Sequence, residues 1–366
     1  MTRLAYDHQI FSRQRFGGVS RYYVELAARV AADPEFEAAV VAPIHMNALL
    51  AERQEVPVVG VYVRHLHGTG ALRSALNAGI TRVHFRRSRP DIVHETYFGE
   101  KSVAPRGVQT VVTVFDMIHE LFPQFFHPGD LTARRKRAAV QRASQVICIS
   151  ESTRHDLLDH VQIDPARVSV VPLGASSTFV QDEGRQRSVP APYVLYVGQR
   201  DGYKNFKSAA AAFAESGLPA LGMKLVCFGG GPWSARDGDA VSSTGLPNSI
   251  VIRRHGDDAA LAELYQNAEA FLYPSLYEGF GIPPLEAMMC GCPVICSGAS
   301  SLPEVVGNAA ELFDPADVHD IARALGSVVG NSARSGELRQ LGTRRASLFS
   351  WSASASRTKE IYRRLV

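Results

Sequence analysis

Short apolar runs alternate with longer helical patterns along this chain, twice over and with one interruption, and that rhythm leaves few architectures open. In the first half Ala38–Ala42, Asp91–His94, Thr110–Phe115, Gln145–Ile149 and Val168–Val171 read as strands. Gly18–Ala32, Leu131–Ala143 and Glu151–His160 read as helices, the last with Ser150 as its N-cap. After Val171 the rhythm lapses, because Pro172 to Pro192 holds a charged and polar run and three prolines without a period. A second series follows, with strands at Tyr193–Val197, Met223–Phe228, Ala270–Tyr273 and Pro293–Cys296. Its helices are Asn205–Glu215, Asp258–Asn267, Pro284–Met289 and Val318–Val329. The expected fold is α/β: two doubly wound, Rossmann-like domains at 1–173 and 193–350, joined by a linker at 174–192. A cleft between the carboxyl ends of their strands is where ligands bind in such sheets. The helical segment 351–366 either caps the second domain or crosses back onto the first.

Composition narrows the partners. A net charge of +3 over 366 residues argues against nucleic acid. Residues 1–173 carry 21 Lys and Arg against 17 Asp and Glu, residues 174–366 carry 18 against 19, and ten of the twelve histidines lie in the first half. The polar start, Met1-Thr-Arg-Leu-Ala-Tyr-Asp-His8, does not resemble a signal peptide. No apolar run reaches the roughly 18 residues of a membrane-spanning helix. Five cysteines, an odd number without framework spacing, point to reduced thiols and a cytoplasmic setting. Cys290, Cys292 and Cys296 read as structural thiols at a helix end and in a strand rather than as zinc ligands.

The stretch from Tyr273 to Val294, YPSLYEGFGIPPLEAMMCGCPV, carries the most chemistry. A strand ends, a loop of Glu278, Gly279, Phe280 and Gly281 follows, and a helix opens at Pro283 and Pro284, where proline is favoured. The glycines let backbone approach a ligand, and the free N–H groups at the helix start suit a diphosphate. Glu278 is placed to accept hydrogen bonds from sugar hydroxyls and Glu286, in the first helical turn, from a ribose. The plainer reading, a carboxylate complementing the helix dipole, explains Glu286 but not the glycine pair or Glu278.

This segment resembles the E-x7-E signature of the retaining glycosyltransferases of family 4, whose GT-B fold sets two Rossmann-like domains face to face. Further pieces match in order: RFGGVSRYY, SESTRHDL, VVPLG, YVGQRDGYKNF and SSLPEVVGNAAELFDP. By that resemblance Gly17 and Gly18 contact the donor phosphates. Arg200 and Lys204, in a loop with Gly198 and Gly202 after a strand, are two cations able to neutralise a departing diphosphate, against the alternative of a solvated loop. Lys204 is expected at the surface.

Asp116 and His119 follow the strand of VVTVFDMIHELFP at the carboxyl edge. The family often has His-Asp here; this chain has Phe115-Asp116, so His119 or His8 is expected to take over polar contacts. Asp116 equally fits a turn cap. His8 follows a very short first strand and is assigned to the acceptor side.

Asp237-Gly-Asp239, read as a polar loop, is set aside as a coincidental metal pattern, and neither a catalytic metal nor another cofactor is expected. Gly229-Gly-Gly-Pro232 lacks dinucleotide spacing and reads as a close-packing turn. The basic runs Arg134–Arg137 and Arg82–Arg89 are solvated faces or a means of peripheral association with an anionic membrane surface. The resemblance implies transfer of a sugar, mannose or a deoxysugar from a GDP-type nucleotide sugar donor, to a saccharide or lipid-linked acceptor in surface polysaccharide assembly at the inner face of the membrane. A sugar-nucleotide epimerase of the same fold and a non-catalytic binding subunit are the alternatives.

Overall fold

The first series of apolar runs builds a seven-stranded sheet, parallel throughout. Its strands are β1 (Thr2–Tyr6), β2 (Phe36–His45), β3 (Val58–Tyr62), β4 (Ile92–Glu95), β5 (Gln109–Val114), β6 (Gln145–Cys148) and β7 (Val168–Val170). Their order is β3-β2-β1-β4-β5-β6-β7. The second series forms a six-stranded parallel sheet from β8 (Tyr193–Val197), β9 (Lys224–Phe228), β10 (Val251–Arg254), β11 (Ala270–Tyr273), β12 (Val294–Ser297) and β13 (Ala310–Phe313). Their order is β10-β9-β8-β11-β12-β13. The central strands are apolar because helices cover both faces: Val111, Val112 and Val114 of β5 and Phe271 and Leu272 of β11 are fully buried.

This is a computed structural model describing residues 1–64, 68–182 and 187–366. Contacts divide it into one unit of Met1–Leu173 with Trp351–Val366 and another of Gly174–Ser350. The terminal helix Trp351–Arg363 is thus part of the first unit, where the Tyr362 hydroxyl lies 2.6 Å from His94 Nδ1 and 3.4 Å from the Tyr6 hydroxyl. Much of the stretch read as linker belongs to the second unit, with Val189 buried; residues 183–186 lie outside the described residues.

In each unit the strand order reverses once, between β1 and β4 and between β8 and β11. Connections leave such a point in opposite directions, so a crevice opens at the carboxyl ends of those two strands.

Several elements go beyond the sequence reading. β3 is an edge strand with its residues mostly exposed, so it lacks the alternation that marks a half-buried strand. The helix Gly70–Ser88 carries a glycine at its start and one at its middle, Gly70 and Gly79, and leaves Leu72, Leu76, Ile80 and Val83 exposed. Asp237 and Asp239 lie on the helix Ala235–Ser242, not in a loop. Within the run Arg134–Arg137, Lys136 is buried, its Nζ 2.7 Å from Glu120 Oε2, so this face is not wholly solvated.

Candidate functional site

The second unit's reversal point joins two loops. After β8 the chain passes Gly198 at φ 131°, where a side chain would be strained, and makes a 3-10 turn at Gly202–Lys204. Asn205 follows in the left-handed region at φ 59°, and its side-chain amide donates to the carbonyls of Pro274 (3.1 Å) and Pro315 (2.8 Å). The Leu276 N–H donates to the Tyr203 carbonyl at 2.8 Å. The loops after β8 and β11 are therefore stitched together before any ligand arrives.

Within that stitch Lys204 Nζ lies 2.6 Å from Glu278 Oε1 and donates to the Tyr273 hydroxyl at 3.2 Å, while that hydroxyl donates to the same carboxylate oxygen at 2.7 Å. Burial raises the Tyr273 phenol well above its ordinary pKa, so it stays a donor. The side chains of Lys204 and Glu278 keep 16% and 13% of their exposure. Lys204 is thus half-buried and paired, which corrects the expectation of a surface lysine: the carboxylate five residues beyond Tyr273 draws it inward.

Arg200 turns to the other side of its loop. Its guanidinium donates to the carbonyls of Gly229 (2.7 Å), Gly230 (3.0 Å), Gly231 (2.9 Å) and Pro232 (3.1 Å). Its Nε lies 3.2 Å from Asp237 Oδ2, with both side chains buried. The glycine turn exists for this arginine: a Cβ on Gly230 would stand 2.5 Å from Arg200 Nη1 and from the Gly198 carbonyl oxygen. Burial pushes the Asp237 carboxyl up, but hydrogen bonds from Ser234 and from Arg200 outweigh it, and the net shift is downward. A cavity of about 850 Å³ opens here, lined by Arg200, Asp201, Asn205, Lys207, Arg236 and Asp237 but by neither Lys204 nor Glu278.

The loop after β11 closes on Gly281, at φ 111°, which caps the helix Ile282–Met289 with prolines in its first turn. Ser301 Oγ holds the turn from outside by donating to the carbonyls of Glu278 (2.8 Å) and Phe280 (2.9 Å), and the Glu278 N–H donates to Ser300 Oγ (2.9 Å). The Phe280 ring is buried against Phe349, 5.8 Å between centroids, so only its backbone is available to a ligand. Glu286 lies beyond the first turn, because the helix begins at Ile282, and is only 7% exposed. The dipole explanation therefore fails for it. Gly279 is also buried.

In the first unit Gly17 caps the helix Gly18–Ala31 in extended backbone, and Gly18 has open space around it. His8 is buried, its Nδ1 3.2 Å from Thr81 Oγ1, and burial lowers its pKa. Asp116 accepts from the Ile118 N–H at 3.1 Å, as a turn cap does, and its Oδ1 lies 3.7 Å from Lys136 Nζ. His119 stacks on Phe126 at 3.9 Å, and burial lowers its pKa despite the acids nearby. Phe115 packs edge-on against Tyr22 and Tyr23, which explains an aromatic residue in that place.

Sequence reasoning missed Tyr273, Asn205, Asp237 and Ser301. Tyr273 stood inside the most informative stretch but read only as a strand end. Asp237 was visible as a carboxylate; that it faces Arg200 depends on packing across 37 residues of chain.

Residues 16–178 match the family described as Glycosyltransferase Family 4, and residues 181–345 match Glycosyl transferases group 1. The O-antigen chain mannosyltransferase B of Escherichia coli is 28% identical over 287 residues, 74% of each chain. Sucrose-phosphate synthase from Thermosynechococcus elongatus superposes with a TM-score of 0.80 at 20% identity, covering 100% of this chain and 99% of that one. The Anabaena protein HepE in complex with UDP-glucose superposes with a TM-score of 0.76 at 17% identity, covering 99% of each. These two structures share the fold.

Proposed function

We propose that this chain, which belongs to the glycosyltransferases that pair a family 4 domain with a group 1 domain in the GT-B fold, moves a hexose from a nucleoside diphosphate to a hydroxyl of a saccharide or lipid-linked acceptor. The observation that carries the reading is the Lys204–Glu278–Tyr273 cluster at the second sheet's reversal point, next to the helix start at Gly281. The anomeric C–O bond to the diphosphate breaks, a C–O bond to the acceptor oxygen forms, and the acceptor's proton passes to the departing diphosphate. Negative charge grows on the leaving group, and Lys204, already held in place, meets it. In doing so it releases Glu278 to accept from the sugar hydroxyls, while Glu286 receives the ribose. The Gly279–Gly281 backbone supplies N–H donors to the phosphates.

Arg200 is spoken for by four carbonyls and Asp237, so its part is to hold the loop that presents Lys204. Asp116 likewise shapes its own turn. The resemblance to family 4 supports transfer with retention, and lysine with backbone amides supplies the charge compensation that a metal ion would otherwise give. The likeness to an O-antigen mannosyltransferase supports mannose as the sugar and surface polysaccharide as the product.

Replacing Lys204 with alanine lowers turnover at saturating donor by about 10²–10³-fold, the usual cost of removing one preorganised donor from a developing negative charge. Nucleotide release that depends on added acceptor distinguishes transfer from epimerisation. A wild-type rate in Lys204→Ala would remove the basis of the proposal.

A further inference from the structure

At the carboxyl edge of the first unit's sheet, where β1 and β4 part, the chain encloses a cavity of about 570 Å³. That volume lies within the usual range for small-molecule sites, about 300–1,000 Å³. Its walls come from stretches far apart in sequence. Arg13 follows β1, Arg73 and Arg82 come from the helix Gly70–Ser88, Lys101 follows β4, and Arg135 comes from the helix Thr132–Arg142. The two basic runs that look separate in the sequence each send one residue, Arg82 and Arg135, to the same cavity.

Five cations face one acid, Glu100, whose Oε1 lies 3.3 Å from Arg134, a residue that is not in the lining. Among the described residues none of Arg13, Arg82, Lys101 and Arg135 forms an ion pair. Arg73 is 9% exposed; its Nη2 donates to the Ser12 carbonyl at 3.1 Å, but its buried Nε has no hydrogen-bond partner. A buried donor without an acceptor is unfavourable, and like charges around one cavity add to the strain. His8, also in the lining, is kept neutral chiefly by burial, with Arg13 and Arg82 opposing its protonation as Asp7 favours it. All of these features call for a multiply charged anion.

We propose that this cavity binds a phosphate group carried by the acceptor, as a hexose phosphate or as the diphosphate of a lipid-linked sugar. The word acceptor rests on the transfer reading; the binding of phosphate does not. A neutral saccharide would leave the five cations uncompensated.

Calorimetric titration of the full chain with mannose 1-phosphate, with mannose as control, tests the soluble source. Sedimentation with vesicles carrying a polyprenyl diphosphate sugar tests the lipid-linked one. The expected result is binding in at least one arm, weakened tenfold or more in the Arg82→Gln/Arg135→Gln double variant and by added salt, and unchanged in Lys204→Ala. A melting temperature matching wild type shows that the double variant is folded. Binding in the first arm identifies a soluble ester, and binding in the second alone a lipid-borne phosphate. Absence of binding in both arms, equal affinity for mannose, unchanged affinity in the double variant, or a loss in Lys204→Ala that moves the anion to the second unit would each overturn the proposal. Failure of the transfer reading is separate, because it shows in the turnover of Lys204→Ala while phosphate binding persists.

Discussion

At the carboxyl edge of the second sheet each cation singled out in the sequence has found a carboxylate: Arg200 is matched by Asp237 and Lys204 by Glu278. At the corresponding edge of the first sheet five cations surround a cavity with one carboxylate, itself drawn off by Arg134. The two sheets share the same core strand order, so topology does not dictate the difference. The second unit's pairs also differ from each other. Arg200 gives both terminal nitrogens to carbonyls, sets its Nε beside Asp237 and is sealed in, whereas Lys204 holds one carboxylate and one hydroxyl at a partly open position. A sealed pair fixes a loop, an open pair can exchange partners, and unmatched charges await a ligand.

The largest expected effect breaks the sealed pair. Asp237→Ala leaves the Arg200 guanidinium buried without its counter-charge and removes the capping box of the helix Ala235–Ser242. Loss of one partner from a buried pair costs about 3–5 kcal/mol. Urea unfolding should show that loss, in contrast to Lys204→Ala, whose effect should fall on turnover. A cost below about 1 kcal/mol would mean that Arg200 is not committed to its own unit, and the distinction between the two pairs would disappear.

How far the sequence reached follows the same lines. Strands such as β8 and β11 and the helices Glu151–His160 and Asp258–Asn267 were legible to the residue, because their apolar periods are set by burial within one doubly wound sheet. The loop with Arg200 and Lys204 and the turn Glu278–Gly281 were legible as a place. Their pairing was not: whether Lys204 or Arg200 meets Glu278 depends on which side of a 3-10 turn each side chain leaves, and that is decided by Asn205 and the glycine turn at Gly229–Gly231. The first unit's cavity was invisible for another reason. Two of its cations, Arg73 and Arg82, lie on the helix Gly70–Ser88, which leaves Leu72, Leu76, Ile80 and Val83 exposed and so gave no periodic signal, and the other three come from separate stretches that only the fold brings together.

A middle-sized effect sharpens the contrast through protons. Buried histidines belong to the first unit: His94 sits among Tyr6, Tyr23 and Tyr362, with its Nε2 2.9 Å from Thr113 Oγ1, whereas His255 and His319 of the second unit are exposed. Burial pushes the His94 pKa down to about 3. The unfolded chain, with an ordinary value near 6.5, binds the proton first, so stability is full above about pH 6.5 and falls as pH drops toward 3. At pH 5 the loss from this one group is about 2 kcal/mol. Urea midpoints measured from pH 7.5 to 5 should fall in the wild type and flatten in His94→Gln. Parallel slopes for the two proteins would show that the imidazole does not govern the acid sensitivity of this unit.

The smallest effect asks whether an open backbone in the first unit serves a ligand at all. Gly18 begins the helix Gly18–Ala31 without a positive φ, and a Cβ there would meet nothing within 4 Å. Nothing inside the protein therefore requires glycine, and alanine should stabilise the fold by about 0.5 kcal/mol by restricting the unfolded chain. If donor phosphates approach this helix start, the added methyl stands in their way, and affinity for the nucleotide sugar should fall about fivefold, close to 1 kcal/mol. Stability and affinity then move in opposite directions, which a packing role cannot produce. A Gly18→Ala protein that melts higher and binds donor as tightly as wild type would make Gly18 an ordinary helix residue, leaving the phosphates to Lys204 and the amides before Pro283.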